Sequence, residues 1–294
     1  MNNSEILFLY DAKISNPNGD MDNENKPRMD WDTETNLVSD VRLKRYIRDY
    51  LKNVQGKELF VTDEALDAKN RVFQIINREP TKDKPIKEDE LKTIINKLID
   101  IKYFGAVFGT SGGNDHITGP IQFNWGYSLN KVELQESKTI TSSFSSGEGV
   151  GKDYRVNYSF IAFSGSINGL IAEQTMLKDE DINLFDKAMI ESIPLNKTRS
   201  KEGQTPRLYL RVELKDNKSF LKDLREYIFL PVDIKNNRKL REIKDIQLDI
   251  NQLIDYLIKN DSKILKVHYW KDDNLFLIKD DSELNKLKNK INKL

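Results

Sequence analysis

Five uninterrupted apolar residues, ILFLY at 6–10, stand near the start of the chain. A strand with one face in water alternates apolar and polar side chains, whereas a strand that is apolar throughout has to be covered on both faces. This run therefore calls for a sheet with material packed on each side and with the run in its interior. The chain has 294 residues, 38% of them hydrophobic. That is enough for one large domain or two modest ones, and a single domain over 1–294 is expected.

The rest of the pattern agrees with such a sheet. Asn16-Pro17-Asn18-Gly19 should end the first strand in a turn. Ser39 suits an N-cap, followed by a helix with Leu43, Tyr46, Ile47, Tyr50 and Leu51 on one face. A second strand is expected at 59–62. A helical region follows, with Phe73 and Ile76 on one face and Leu91, Ile94, Ile95, Leu98 and Ile99 on another. Between them lies a polar linker, 78–88, that holds Pro80 and Pro85. From Phe104 glycines and short strands take over, at 104–109, 121–126 and 155–167. TITSSFSSGEGVGKD, at 139–153, reads as a loop or hairpin tip. Later elements are a helix at 179–193, a strand at 208–214, helices at 220–228 and 250–258, a strand at 264–270 and a terminal helix at 282–294. The order is α+β, with a sheet assembled from distant segments and carrying large insertions.

Charge and composition exclude several functions. The chain carries 47 basic and 47 acidic side chains, so any basic patch is local. It has no cysteine and only two histidines, His116 and His268. Disulfides, thiolate metal sites and a histidine-rich centre are therefore ruled out. The opening MNNSEILFLY has no basic flank before its short apolar run. Neither a secretory signal nor a membrane span is expected, and the protein is read as cytoplasmic.

Two local clusters stand out. Arg42, Lys44, Arg45, Arg48 and Lys52 occupy most of the polar side of the first helix. Lys197, Arg199, Lys201, Arg207 and Arg211 gather in NKTRSKEGQTPRLYLR around a single acid, Glu202. A basic helix face is commonly no more than a solvated surface. Two arginine-bearing clusters in a neutral chain also suit a phosphate track, since guanidinium grips phosphate oxygens bidentately. Ahead of the helix lie Asp20, Asp22, Glu24, Asp30 and Asp32. Calcium-loop spacing fails there, because position six from Asp20 is Asn25 and position twelve is Trp31. A hydrolytic metal site stays formally open, and Asp11 and Asp40 read as turn or helix caps. KYFGAVFG, from Lys102, fits an RNA-recognition strand only in part. His268 reads as a strand histidine at the sheet face. TSGGN, at 110–114, lacks the lysine and spacing of a P-loop.

A strand ending in Tyr-Asp, then NPNGD, a loop with PR, and VSDVRLKRYIRDYL together resemble one family. It is the guide-RNA-binding backbone subunit of type I CRISPR surveillance complexes (Cascade). FGAVFG, ITGPIQF, RVNYSFIAFSGSIN, TRSKEGQTPRL and KVHYW extend the resemblance over most of the chain. TRSKEGQ favours the I-B branch over I-C. The resemblance implies a ferredoxin-like, RNA-recognition-type palm built from 1–62, 116–134 and 155–294. It also implies a helical fingers insertion at about 63–115 and a thumb at about 139–153. Arg42, Lys44, Arg45 and Arg48 would lie near the RNA backbone, with Asn16 and Asn18 shaping the adjoining loop. Arg155, Arg199 and Lys201 complete the expected set. The implied partners are guide RNA, target DNA paired to that guide, neighbouring copies and other Cascade subunits. No cofactor, metal or catalytic residue is expected. The acids of 20–32 would solvate their loop or meet bases of a neighbouring copy. Two alternatives remain. One is a metal-dependent endoribonuclease using an aspartate of 20–32, as related type III subunits do. The other is an RNA-binding protein outside any CRISPR complex.

Overall fold

In the computed structural model, described for residues 1–65, 67–79, 86–109, 116–135, 138–141, 150–279 and 281–294, the apolar run lies in β1 (Ser4–Ser15). The other strands of its sheet are β2 (Met29–Asp30), β3 (Thr35–Val38), β4 (Ile121–Phe123), β5 (Gly126–Ser128), β6 (Val156–Ile167), β7 (Gln204–Leu214), β8 (Ile264–Lys271) and β9 (Ile291–Lys293). Their order is β9-β8-β7-β1-β6-β5-β3-β2, with β4 also pairing to β6. The ladder between β8 and β9 is parallel, while β1 is antiparallel to both neighbours, so the sheet is mixed. The fold is thus a mixed α/β fold around one large sheet.

β1 is interior, as its composition requires. Alternation along a strand sends successive side chains to opposite faces. Ile6, Phe8, Tyr10 and Ala12 join the core under helices α1 (Asp40–Asn53) and α5 (Asp179–Leu195). Leu7 and Leu9 join a second core, covered by α6 (Asn251–Lys259) and the irregular segment that holds Leu221, Leu224, Ile228 and Leu230. Each such side chain contributes about 1.5–3 kcal/mol on burial, so the two faces of β1 hold both layers to one strand. Helices α2 (Ala68–Ile75), α3 (Glu88–Lys97) and α4 (Ile99–Phe104) enclose a separate smaller core around Val72, Ile94, Leu98 and Phe108. No helix among the described residues is long and apolar enough to cross a membrane.

Three expected elements differ. Residues 59–62 form no strand, because the N–H groups of Phe60 and Val61 donate instead to the buried carboxylate of Asp100, at 2.8 and 3.2 Å. The stretch 220–228 holds only a single 3-10 turn, Leu224–Tyr227, entered through the Asp223 carboxylate. The tail is a 3-10 run, Asp281–Lys290, followed by β9, because the outer edge of β8 offers it unpaired backbone groups. Asp11 is no cap: its buried carboxylate takes hydrogen bonds from Tyr158 Oη at 2.9 Å and Arg207 Nη2 at 3.0 Å. His268 does lie in β8, with Nε2 3.4 Å from Glu213. Phe104 and Phe108 of KYFGAVFG are buried and offer no stacking platform.

The start of β1 is titratable. Burial pushes the Glu5 carboxyl up to about 7, and Asp223 adds to the rise, against a lowering hydrogen bond from the Leu221 backbone. A carboxyl whose folded pKa is raised stabilises the native state most below its ordinary pKa and loses that contribution as pH climbs through about 7. Glu5→Gln should therefore raise the thermal midpoint by a few degrees at pH 8 and change it little at pH 4. Equal shifts at both pH values would show Glu5 to be ordinary and solvated.

Candidate nucleic-acid interface

The turn at the far end of β1 is built by its asparagines. Asn16 is buried, donating Nδ2 to the Asn25 carbonyl at 2.7 Å and its backbone N–H to Ser200 at 2.8 Å. Asn18 Oδ1 accepts from both the N–H and the Oγ of Ser39, each at 2.8 Å. Ser39 Oγ in turn accepts the Arg42 N–H at 3.3 Å, the expected N-cap. The exit of β1 and the start of α1 are thus held in one chain of hydrogen bonds. Asn18→Ala removes the shared acceptor and should cost about 1–2 kcal/mol. Thermal unfolding would show it, and Asn18→Asp, which keeps the acceptor, should recover most of the loss.

The bases of α1 do not form the open face that their spacing suggests. Lys44 is 9% exposed and donates to Asp40 at 2.9 Å and to Gln122 at 3.2 Å. Arg48 turns inward to Asp100, at 3.1 Å, with its guanidinium 5.1 Å from the Phe104 ring centroid. Arg45 faces outward but is held by Asp49 at 2.7 Å. Arg42 is different. Its guanidinium lies 4.0 Å from the Tyr46 ring centroid, its Nε is enclosed without a protein acceptor, and it makes no ion pair among the described residues.

Beside Arg42 sits the loop between α5 and β7. It turns on Gly203, whose φ of +92° favours glycine and whose added Cβ would lie 2.3 Å from the Lys13 carbonyl. Lys201 folds back across it, and its Nζ donates to the carbonyls of Asn16 and Pro17. It has no carboxylate partner among the described residues, and burial first and the Arg42 charge second pull the ammonium down to about 7. Arg155 ties the rim together: Nε donates to Asp153 at 2.9 Å, Nη1 to the Ile14 carbonyl at 2.9 Å and Nη2 to the Arg199 carbonyl at 3.3 Å. Arg199 is exposed, with Asp153 at 3.8 Å. Next to it Lys138–Thr141 and Val150–Asp153 pair as an antiparallel hairpin; the Ser/Gly tip at 142–149 lies outside the described residues, as does TSGGN.

Six of the nine residues singled out in the sequence therefore converge on the exit of β1: Asn16, Asn18, Arg42, Arg155, Arg199 and Lys201. Arg45 lies further along the same helix, while Lys44 and Arg48 are turned away from the surface. Three residues went unnoticed. Tyr46 supports Arg42 and donates Oη to Gln204 Oε1 at 2.8 Å. Gln204 Nε2, Tyr10 Oη and Asn16 Oδ1 are enclosed without partners among the described residues. The spacing of Arg42 and Tyr46, one helical turn apart, was a readable signal; nothing local marked Gln204 or Tyr10. Two cations that pair with no carboxylate among the described residues, beside these polar groups, can hold an anion such as a phosphate oxygen.

The acids of the preceding loop are engaged within the chain. Asp20 pairs with Arg28 at 3.0 Å. Glu24 accepts from Lys152 Nζ and Tyr154 Oη, both at 2.6 Å, and these hold its carboxyl down at about 2. Asp30 closes a turn on Thr33 Oγ1 at 2.7 Å, and Glu34 pairs with Lys131 and Arg238. Asp22 and Asp32 remain exposed. Among the described residues no three acids or histidines converge on a point that could hold a metal ion.

Residues 2–251 match the protein family described as CRISPR-associated protein Cas7. The chain belongs to the Cas7 family. A CRISPR-associated protein Cas7 of Haloferax volcanii is 30% identical over 305 residues, covering 94% of this chain and 89% of that protein. The resemblance carried by the NPNGD-to-LKR block is thus borne out at the level of the family. Two solved structures share the fold. A chain of a CRISPR RNA-guided surveillance complex, pre-nicking, aligns with a TM-score of 0.60 at 12% identity, over 99% of this chain and 96% of its own length. Another, from a CRISPR RNA-guided surveillance complex, aligns at 0.56 and 13%, over 99% and 94%. What these two chains share with this one is the fold built on the large mixed sheet described above.

Proposed function

We propose that the chain is a non-catalytic backbone subunit of a type I CRISPR surveillance complex, of the I-B branch, that binds guide RNA. Copies polymerise along the guide in the cytoplasm, join other Cascade subunits, and present the guide for pairing with target DNA. The observation that carries this reading, beside membership of the Cas7 family, is the pair Arg42 and Lys201. They are two cations beside the start of a capped helix, and neither pairs with a carboxylate among the described residues. Asn16, Asn18 and Arg155 position the site, and Arg199 extends it along the strand. Arg45 reaches RNA by exchanging Asp49 for phosphate, while Lys44 and Arg48 support the helix from beneath. In this reading the sheet is a ferredoxin-like palm, built from 1–62, 116–134 and 155–294. The unit with its own small core, about 63–115, is the fingers, and the hairpin at about 139–153 is the thumb.

Single-stranded RNAs of increasing length test it. Bound copies should rise in regular steps with length, with similar affinity for unrelated sequences, because the contacts are to the backbone. One copy on every RNA regardless of length would defeat the polymerising reading. The endoribonuclease alternative requires a free acid cluster, and most of the loop acids are occupied by bases or turns. Assemblies with guide and complementary RNA should therefore leave both strands intact in magnesium or manganese. Regularly spaced cuts, abolished by Asp22→Ala or Asp32→Ala, would instead establish the nuclease.

A further inference from the structure

On the far side of the sheet from α1 lies an open groove of about 610 Å³. Its wall belongs to the second core. Tyr227, at the end of the 3-10 turn, and Tyr256, from α6, both pack against the buried side chains of that layer. Their rings stack with centroids 4.0 Å apart and planes 14° from parallel. Tyr256 Oη accepts the Lys222 N–H at 2.9 Å, so the pair is fixed before anything binds. Phe220 stands beside it, 72% exposed.

The charges around these rings are mostly of one sign. Lys222, Lys259 and Lys263 are exposed along the groove and pair with no carboxylate among the described residues. Asp255 is the one acid among the described lining residues, and the Asp261 carboxylate two residues before Lys263 is paired with Lys290. Gln252 and Asn260 add hydrogen-bonding groups. A fixed aromatic surface flanked by lysines suits a nucleic-acid strand: bases stack on rings whatever their sequence, and lysines meet the phosphates. An acidic peptide would satisfy the lysines but leave much of the aromatic surface in water.

Strand register separates this groove from Arg42 and Lys201. Lys263 precedes Ile264, which pairs with Leu214, and the adjoining Glu213 pairs with Ser4, so the groove lies at the start of β1. Arg42 and Lys201 lie at its exit. A 12-residue strand separates the ends by roughly 35 Å at about 3.3 Å per residue. The two sites also lie in layers on opposite faces of the sheet. A strand held by Arg42 does not reach the groove without rounding the sheet.

We infer that the Tyr227–Tyr256 groove is a second site, for a single-stranded nucleic acid other than the guide. Bases stack on Phe220 and the tyrosine pair, and Lys222, Lys259 and Lys263 meet the phosphates. The inference rests on the guide-binding reading only in that the guide occupies the Arg42 site.

The test uses the chain already loaded on guide RNA. The probes are a labelled mixed-sequence DNA strand and the RNA of the same sequence, neither complementary to the guide. At least one should bind, and ultraviolet crosslinking should attach it to the peptides around Phe220 and Tyr256 rather than to that around Arg42. Phe220→Ala should weaken this binding by roughly 5- to 100-fold, the worth of one stacked base. Lys222→Glu with Lys259→Glu and Lys263→Glu should flatten its salt slope by about 2. All four side chains are exposed, and guide binding should be unchanged in both variants. Preference for the DNA probe would name a displaced DNA strand as the source, and preference for RNA a transcript; either supports the site. No second strand bound, crosslinks confined to the Arg42 peptide, or full binding by both variants would overturn it. So would capture of a polyglutamate peptide with no oligonucleotide bound, which would make the groove a protein-docking surface. If the unaltered chain binds no guide, the guide-binding reading falls, and the crosslink map of the free chain still decides the groove.

Discussion

Asp186→Ala should lower the thermal midpoint by roughly 6–20 °C, taking about 3–5 kcal/mol for a buried charge left unpaired and about 2–4 °C for each. Asp186 projects from α5 onto the sheet and is 1% exposed. Its Oδ1 accepts from Tyr209 Oη at 2.6 Å and Arg211 Nε at 2.8 Å, and its Oδ2 from Arg211 Nη2 at 2.6 Å. Arg211 is itself buried, and the carboxylate keeps its guanidinium firmly protonated despite burial. Alanine would strand that charge between α5 and β7 with few groups to turn to, Ser4 Oγ at 3.4 Å and the phenol of Tyr209 among them. A double variant, Asp186→Leu with Arg211→Met, removes both charges and should lose less than the single one. A single variant within 1 °C of the unaltered protein would show that water reaches the pair.

Arg42→Ala should weaken RNA binding by roughly 10- to 100-fold at low salt, the worth of one or two charge-assisted hydrogen bonds. The slope of log affinity against log salt should flatten by about 0.7 for each phosphate that the variant no longer neutralises. Lys201 adds a dependence on pH. In the free protein its ammonium titrates near 7. A phosphate would favour the charged form, so binding above that pH has to take up a proton. Affinity should be level below about pH 7 and fall above it, by at most tenfold per unit. Lys201→Arg, charged throughout, should abolish the fall. An unchanged profile in that variant would remove Lys201 from the site, and an unchanged salt slope in Arg42→Ala would remove Arg42.

The legible parts of the molecule were those decided within one turn or one strand. The run at 6–10, the Ser39 cap and the Asn-Pro-Asn-Gly turn could be read because apolar repeats and capping chemistry act over a few residues. The TRSK loop was legible through its motif. The true state of the α1 bases was not, since each is settled by a remote partner. Asp100, which claims Arg48, lies in α4, and Gln122, which shares Lys44, lies in β4. A helical wheel places these bases on the polar side but cannot show that another element covers it. The tail failed for a similar reason: its helical spacing lost to an edge of β8 that local sequence does not reveal. The stretch 59–62 looked like a strand because an apolar extended segment satisfied by one carboxylate has the same local pattern as one satisfied by a neighbour.

The place of β1 in the sheet also bears on how the chain is made. Its most apolar stretch leaves the ribosome well before its partner strands, since Leu9 pairs with Ala162 on one side and Leu208 on the other. At about 5–20 residues per second, an unprotected hydrophobic strand would wait on the order of 10–30 s for its partners to emerge. Until then nothing nearby in the chain can complete its ladder. Slowing elongation should lengthen the interval in which this strand stays uncovered and can aggregate.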